Sequence, residues 1–161
     1  MTDPDRRGRA SELWEQAYAH HMRKELEEAI RLYQESLALY PTAEAHTFLG
    51  WAYSDQNRLD EAIAECHKAI ALDPDFGNPY NDIGVYLIER EDLDGAIPWL
   101  EKAKRARRYE PRHFPYMNLG RIYLQRGQWQ EALRELEAAA RLAPSDPAAR
   151  TLLHEVRARF N

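Results

Sequence analysis

The chain has 161 residues, of which 44% are hydrophobic and 30% charged, and a formal net charge of −5. No stretch approaches the roughly 18 apolar residues of a membrane-spanning helix, and the charged start, MTDPDRRGRA, is not a secretory signal, so we expect a cytoplasmic protein without a membrane partner. The single cysteine, Cys66, excludes an internal disulfide and a cysteine-based zinc cluster within one chain.

A pattern of small residues recurs four times along the chain. Each small residue is followed twelve positions later by an alanine: Ala17, Gly50, Gly84 and Gly120, then Ala29, Ala62, Ala96 and Ala132. The small residues lie 33, 34 and 36 positions apart, which is the period of an α-solenoid. A proline follows twelve residues further on in three copies, but Pro111 of the third copy comes three residues late. We therefore expect about one extra helical turn in that copy.

Each copy is predicted to contain two helices, A and B. Apolar residues recur at intervals of three and four around the small residue, as in AHTFLGWAYSDQ, and again after a polar break, as in RLDEAIAECHKAIALDP. The prolines end helix B, and Asn78-Pro79 and Asp146-Pro147 have the form of an N-cap followed by a proline in the first turn. The small residues predict a close crossing of the two helices.

These features resemble the tetratricopeptide repeat, most fully in YNDIGVYL with DLDGAI and in YMNLGRIYLQRGQWQEALRELEAAARLAP. The resemblance covers residues 10–146 and implies an all-α fold, a right-handed superhelix of four helix-turn-helix repeats. The repeats are expected at about 10–42, 43–76, 77–112 and 113–146, after a disordered segment at 1–9. The first repeat departs from the family pattern, with Gln16 in a leucine position and His20 in a tyrosine position.

Residues 147–161 are predicted to form a C-terminal capping helix. Leu152, Leu153, Val156 and Phe160 form one apolar stripe. A solenoid needs such a helix because the last repeat cannot bury its own face. A helix that binds a partner is the alternative interpretation.

The resemblance also implies a binding surface, because helix A of this family lines a concave groove. At the matching positions it implies a peptide-binding set: Trp14, Tyr18, Trp51, Asn81, Val85, Met117 and Arg121. Aromatic side chains give contact area at low entropy cost, and an asparagine amide can pair with a peptide backbone. Alternatively, Trp14 and Trp51 only pack between adjacent A helices.

Acidic residues surround this groove, namely Glu15, Glu44, Asp55, Asp82 and Glu89. We therefore expect a protein or peptide partner with basic residues beside apolar ones. The family's best-known variant clamps acidic chaperone tails through Lys, Asn and Arg, but the matching places here hold Trp14, Tyr18, Phe48, Asn78 and Asp82, so that clamp is not expected. The predicted function is a protein–protein interaction scaffold that binds a peptide segment in its groove.

A basic run in the third copy, EKAKRARRYEPRHF, gives a second hypothesis. It contains Lys102, Lys104, Arg105, Arg107, Arg108 and Arg112, on or just after the lengthened helix B. Such a run is either a solvated face or a docking ridge for an acidic partner or for phosphates, as in a self-assembling or accessory subunit of a complex. One basic patch does not indicate nucleic-acid binding, and one chain does not define an oligomeric state.

No arrangement of residues indicates an enzyme, and neither a metal nor a cofactor is expected. Cys66 and His67 are adjacent and therefore point about 100° apart on a helix, which does not suit a nucleophile and its base. Cys66 instead falls in a helix B column of large core residues and is predicted to be buried. His20 and His21 lack the spacing of three or four that would bring two imidazoles to one ion.

Overall fold

The structure is a computed structural model that describes residues 1–161. It contains nine α-helices and a final 3₁₀ turn: α1 (Asp3–Met22), α2 (Leu26–Leu39), α3 (Ala43–Asp55), α4 (Leu59–Leu72), α5 (Asn78–Glu89), α6 (Leu93–Arg105), α7 (His113–Gln125), α8 (Trp129–Leu142), α9 (Pro147–Arg157) and Ala158–Phe160. The first eight helices form four successive pairs, and α9 packs on α8 and α7. The predicted all-α superhelix of four repeats and a cap is therefore confirmed. None of the helices has the length and apolar character needed to span a membrane.

The crossing of helices A and B depends on the small residue in each repeat. A Cβ atom added at Gly84 would lie 2.4 Å from Leu100 Cδ2, and one at Gly120 would lie 2.5 Å from Leu136 Cδ2. These distances are well inside van der Waals contact, so a methyl group at Gly84 or Gly120 would displace the leucine that packs there. In the first repeat Ala17 occupies the same position. The contact partner lies sixteen positions after the small residue. It therefore belongs to the crossing together with the alanine at the twelfth position, which the sequence predicted.

That sixteenth position forms a fully buried column, which contains Tyr33, Cys66, Leu100 and Leu136. The prediction that Cys66 is a core residue is confirmed. Burial raises the pKa of its thiol well above the ordinary value, so the side chain stays protonated and apolar in character. The column links each helix B to the helix A of its own repeat.

The N-terminus differs from the predicted disordered segment at 1–9, because α1 begins at Asp3. Thr2 Oγ1 accepts a hydrogen bond from Asp5 N at 3.3 Å, and Thr2 N donates to Asp5 Oδ2 at 3.0 Å. This capping box, with Pro4 in the first turn, satisfies the free amides of the helix end. The added turns carry exposed residues, which is why apolar periodicity did not indicate them.

The predicted extra helical turn in the third copy is wrong. Helix α6 ends at Arg105 and has 13 residues, one fewer than α8. The surplus residues form an extended connection in which Arg108 N donates to Asp75 O and Arg108 O accepts from Gly77 N, both at 2.9 Å. This pairing with the α4–α5 loop buries Tyr109. Pro111 also disfavours a helical conformation at the preceding residue, so an extended connection is the better solution.

Helix α9 is the predicted cap. Ala149, Leu153 and Val156 are buried, in clusters that include Leu136 of α8 and Met117 of α7. Phe160 lies beyond α9 and is 50% exposed, so the apolar stripe ends before it. The apolar face of α9 is thus used inside the molecule.

Replacing Gly84 by alanine is expected to destabilise the fold by about 1–3 kcal/mol, because the new Cβ overpacks the contact with Leu100. Urea unfolding monitored by circular dichroism measures this loss. Gly8→Ala is the matched control: Gly8 also lies in a helix, but a Cβ there meets nothing within 4 Å. Its replacement should be neutral or slightly stabilising, and equal effects at the two positions would contradict the crossing model.

Deleting residues 148–161 is expected to remove about 3–6 kcal/mol, the contribution of burying Leu153 and Val156, and to cause aggregation through the exposed face of α8. Deleting only residues 158–161 removes no buried residue and should change little. Thermal unfolding and sedimentation velocity test both. A monomeric 148–161 deletion with an unchanged melting temperature would show that α9 is not a cap.

Candidate peptide-binding groove

A depression of about 490 Å³ runs along the A helices α3, α5 and α7. Its walls come from these three helices and from the two connections that precede α5 and α7. The residues that border it are Thr47, Phe48, Trp51, Ser54, Asp55, Phe76, Asn78, Asn81, Asp82, Val85, Tyr86, Glu89, Tyr109, Pro111, Phe114, Asn118 and Arg121. We call this depression the groove.

Four of the predicted groove residues, Trp51, Asn81, Val85 and Arg121, border the groove. Met117 does not, because it is only 2% exposed and packs with Ala139 and Ala149. Its position in the repeat would face the groove, but here the side chain fills the junction with α8 and the cap. Met117 is therefore a core residue that does not border the groove, where the sequence had placed it.

The remaining two predicted residues, Trp14 and Tyr18, belong to an aromatic cluster between α1 and α3. Their rings stack with centroids 5.7 Å apart, and Phe48 meets them edge-on at 5.1 and 5.6 Å. Trp51 continues the cluster at 5.7 Å from Phe48. Trp14 and Trp51 do pack between adjacent A helices, as the alternative interpretation predicted. Tyr18 and Trp51 nevertheless keep 38% and 41% of their surface exposed, so the cluster presents a fixed aromatic surface beside the groove.

Asn81 is part of a buried hydrogen-bond chain rather than a free amide. Its Oδ1 accepts from Asn118 Nδ2 at 3.0 Å, and Asn118 Oδ1 accepts from Arg121 Nη1 at 3.1 Å. Asn81 is 6% exposed, whereas the Arg121 side chain is exposed. Asn81 therefore links α5 to α7 and orients Arg121 through Asn118. Asn118 lies 37 positions later in the sequence, and no local pattern pointed to it.

Two of the predicted acidic residues, Asp55 and Glu44, form ion pairs with basic side chains of the same chain. Asp55 Oδ2 lies 3.0 Å from Lys24 Nζ and 3.1 Å from His21 Nε2, and Glu44 pairs with Arg108 at 3.0 Å. Asp82 has no basic partner among the ion pairs of the structure. The uncompensated negative charge of the groove is therefore centred on α5.

Burial raises the pKa of Asp82 to about 7, although a hydrogen bond from Asn81 opposes the rise. The other titratable groups around it are Cys66 of α4, Tyr86 of α5 and Tyr109. Burial raises the pKa of each of them, and the negative charge of Asp82 raises it further. None of these groups supplies a positive charge. A ligand ammonium or guanidinium group would supply it through a charge-assisted hydrogen bond.

The basic run does not form a continuous ridge of free cations. Lys104 Nζ donates to Glu135 Oε1 at 2.9 Å, Arg108 pairs with Asp73 at 2.6 Å, and Arg112 Nη1 donates to the Lys104 carbonyl at 2.8 Å. These three side chains hold neighbouring elements together. The other three, Lys102, Arg105 and Arg107, are exposed and make no ion pair.

The cysteine and histidines do not come together in a catalytic arrangement. Cys66 is buried, whereas His67 is exposed and packs edge-on against Trp99, with ring centroids 5.3 Å apart. His21 is enclosed between Tyr33 and Asp55, and burial lowers its pKa. No group of three or more histidine, cysteine, aspartate or glutamate side chains could hold a metal ion.

Family models of the tetratricopeptide repeat match residues 10–43, 43–76 and 113–146 of this chain. The mitochondrial import receptor subunit TOM70 of Homo sapiens is 27% identical over 136 residues, which cover 83% of this chain and 22% of that protein. The chain thus spans about a fifth of the length of this curated relative.

Solved structures give the same fold at lower identity. The Pseudomonas aeruginosa protein PilF superposes with a TM-score of 0.88 at 22% identity, covering 97% of this chain and 71% of that one. PilW, described as a type IV pilus biogenesis factor, gives a TM-score of 0.82 at 18% identity, covering 93% of this chain and 69% of that one. These similarities show the arrangement of the helices.

Asp82→Asn is expected to stabilise the protein at pH 8 by about 1–3 kcal/mol and to have little effect near pH 4. The folded-state pKa of Asp82, about 7, lies above the ordinary value of 3.8, so the fold binds a proton that the unfolded chain releases. Stability is therefore lost as pH rises from about 4 to 7, and asparagine removes that loss.

Urea unfolding of both proteins from pH 4 to pH 8 measures the difference. Glu15→Gln removes an exposed carboxylate of α1 that makes no ion pair and serves as the control, with a small effect independent of pH. An Asp82→Asn effect that does not grow between pH 4 and pH 8 would contradict the raised pKa.

Proposed function

The chain belongs to the tetratricopeptide repeat family, and we propose that it is a scaffold or adaptor that holds a segment of a partner protein in the groove. Proteins of this family generally mediate protein–protein interactions and are typically not enzymes. One observation carries the proposal: the exposed ring of Trp51 and the uncompensated carboxyl group of Asp82 border the same depression. An aromatic anchor beside an unpaired charge is typical of a protein-recognition site.

The chemistry of the groove favours a ligand with a lysine or arginine beside apolar residues. The cation would pair with Asp82, and Glu89 at the same wall adds negative charge. An apolar ligand side chain would lie on Trp51 or on Phe114, both 41% exposed. Arg121, held by Asn118, is placed to donate to a ligand carbonyl.

The same charges disfavour an acidic tail in the groove. A carboxylate entering beside Asp82 would meet an uncompensated like charge rather than the cation clamp that such tails require. A partner with basic residues is therefore the better match. A cytoplasmic location stays a prediction from the sequence.

Trp51→Ala is expected to weaken binding of the partner by about 10–100-fold, because truncation of an exposed aromatic anchor costs about 1–3 kcal/mol. Affinity purification with the wild-type protein would identify the partner, and isothermal titration with its binding segment would give the dissociation constants. Asp82→Asn should also weaken binding at pH 8, where the carboxylate is ionised.

Phe160→Ala is the matched control, since this aromatic residue is 50% exposed and lies outside the groove. It should bind the partner segment normally. Wild-type affinity in both Trp51→Ala and Asp82→Asn, with melting temperatures that show intact folds, would rule out the groove as the binding site.

A further inference from the structure

A second depression, of about 400 Å³, lies where α4 ends and α6 passes beside it. It is bordered by Ile70, Pro74, Asp75, Tyr80, Trp99, Lys102, Arg105, Ala106 and Arg107, none of which borders the groove. We call it the basic cleft. It combines an aromatic wall with Lys102, Arg105 and Arg107, the three cations of the basic run that make neither an ion pair nor a side-chain hydrogen bond.

Trp99 forms the wall of the basic cleft and is held in place from two sides. His67 packs edge-on against it with centroids 5.3 Å apart, and Tyr80 lies 6.2 Å away at a small tilt. Tyr80 Oη donates to the Pro74 carbonyl at 2.9 Å, which fixes the Tyr80 ring. A rigid aromatic surface of this kind binds an apolar side chain at little cost in conformational entropy.

The cations at the basic cleft differ from most others in this chain. Lys102 Nζ lies 4.3 Å from the centroid of the Trp99 ring and has no carboxylate partner, and Arg105 and Arg107 make neither an ion pair nor a side-chain hydrogen bond. Lys104 and Arg108 of the same run are paired with Glu135 and Asp73. Three unpaired positive charges thus border one depression, in which Asp75 is the single acidic side chain, in a chain whose net charge is −5.

We propose that the basic cleft is a second binding site, which takes an acidic segment of a partner protein with an apolar residue beside its carboxylates. The apolar side chain packs on Trp99 and Ile70, and the carboxylates pair with Lys102, Arg105 and Arg107. The groove and the basic cleft then prefer opposite charges, so one copy can hold two different segments at once.

Asp75 favours a peptide over a nucleic acid in the basic cleft. Its carboxylate is exposed at the border of the basic cleft and makes no ion pair. A peptide offers backbone N–H groups that can donate to this carboxylate, whereas a phosphodiester backbone offers only further negative charge there. Three cations also give few phosphate contacts for a nucleic-acid site.

A peptide array tests the proposal. The probes are fluorescein-labelled decapeptides that place two to four glutamates next to leucine, methionine, phenylalanine, tyrosine or tryptophan, with glutamine-substituted copies and a twelve-nucleotide oligothymidylate. Fluorescence anisotropy is measured with the wild type, with Arg105→Glu/Arg107→Glu and with Trp99→Ala. Arg141→Glu/Arg150→Glu is the matched control, because it makes the same change of charge at exposed arginines outside the basic cleft that make no ion pair.

Acidic peptides with an adjacent apolar residue should bind the wild type and the control double variant. Binding should fall at least tenfold in both basic-cleft variants, weaken with salt, and be absent for the glutamine copies. Unchanged melting temperatures and unchanged circular dichroism spectra would show that the variants are folded.

Three results would overturn the proposal. In the first, no acidic peptide binds the wild type with a dissociation constant below about 1 mM. In the second, Arg105→Glu/Arg107→Glu and the control double variant lose binding equally. In the third, the oligothymidylate binds as tightly as the best peptide and depends on the same residues, which would make the basic cleft a nucleic-acid site. Failure of the groove ligand to bind leaves this test unaffected, since the two depressions share no residue.

Discussion

The whole molecule depends on one steric constraint, the small residue at the point where helix A crosses helix B. Gly84 against Leu100 and Gly120 against Leu136 leave no room for even a methyl group. Close-packed helices transmit this spacing rigidly, so each pair presents its helix A to the same side as the pair before it. The groove along α3, α5 and α7 is a consequence of that repetition, since side chains at equivalent positions of successive repeats come to lie beside one another.

The polar groups of the groove divide into those that pair across the repeats and those that have no partner of opposite charge. Asn81 and Asn118 satisfy each other across α5 and α7 and orient Arg121. Asp82, in contrast, is kept partly buried without a basic partner, and burial raises its pKa to about 7. Unpaired charge of this kind lowers stability and is typical of a site whose function requires it.

The connection between α6 and α7 borders both the groove and the basic cleft. Tyr109 and Pro111 border the groove, whereas Ala106 and Arg107 border the basic cleft. Arg108 between them pairs with Asp73 and with Glu44 and so ties the connection to the preceding repeat. The lengthened connection of the third copy therefore helps to form two separate depressions.

The sequence by itself determined the period, the helix pairs and the buried column that includes Cys66, because these depend on contacts that recur in every copy of the pattern. It also determined the cap, because the apolar stripe of α9 follows the period of a single helix. Only the tertiary structure decided that Met117 is buried near α9 and that Asn81 is paired with Asn118. It likewise showed that the surplus residues form an extended connection and not a further helical turn. These features each occur once and join residues of different elements. A periodic sequence shows which face of a helix a residue occupies, but the partner it meets there depends on the superhelix and on the reach of each side chain.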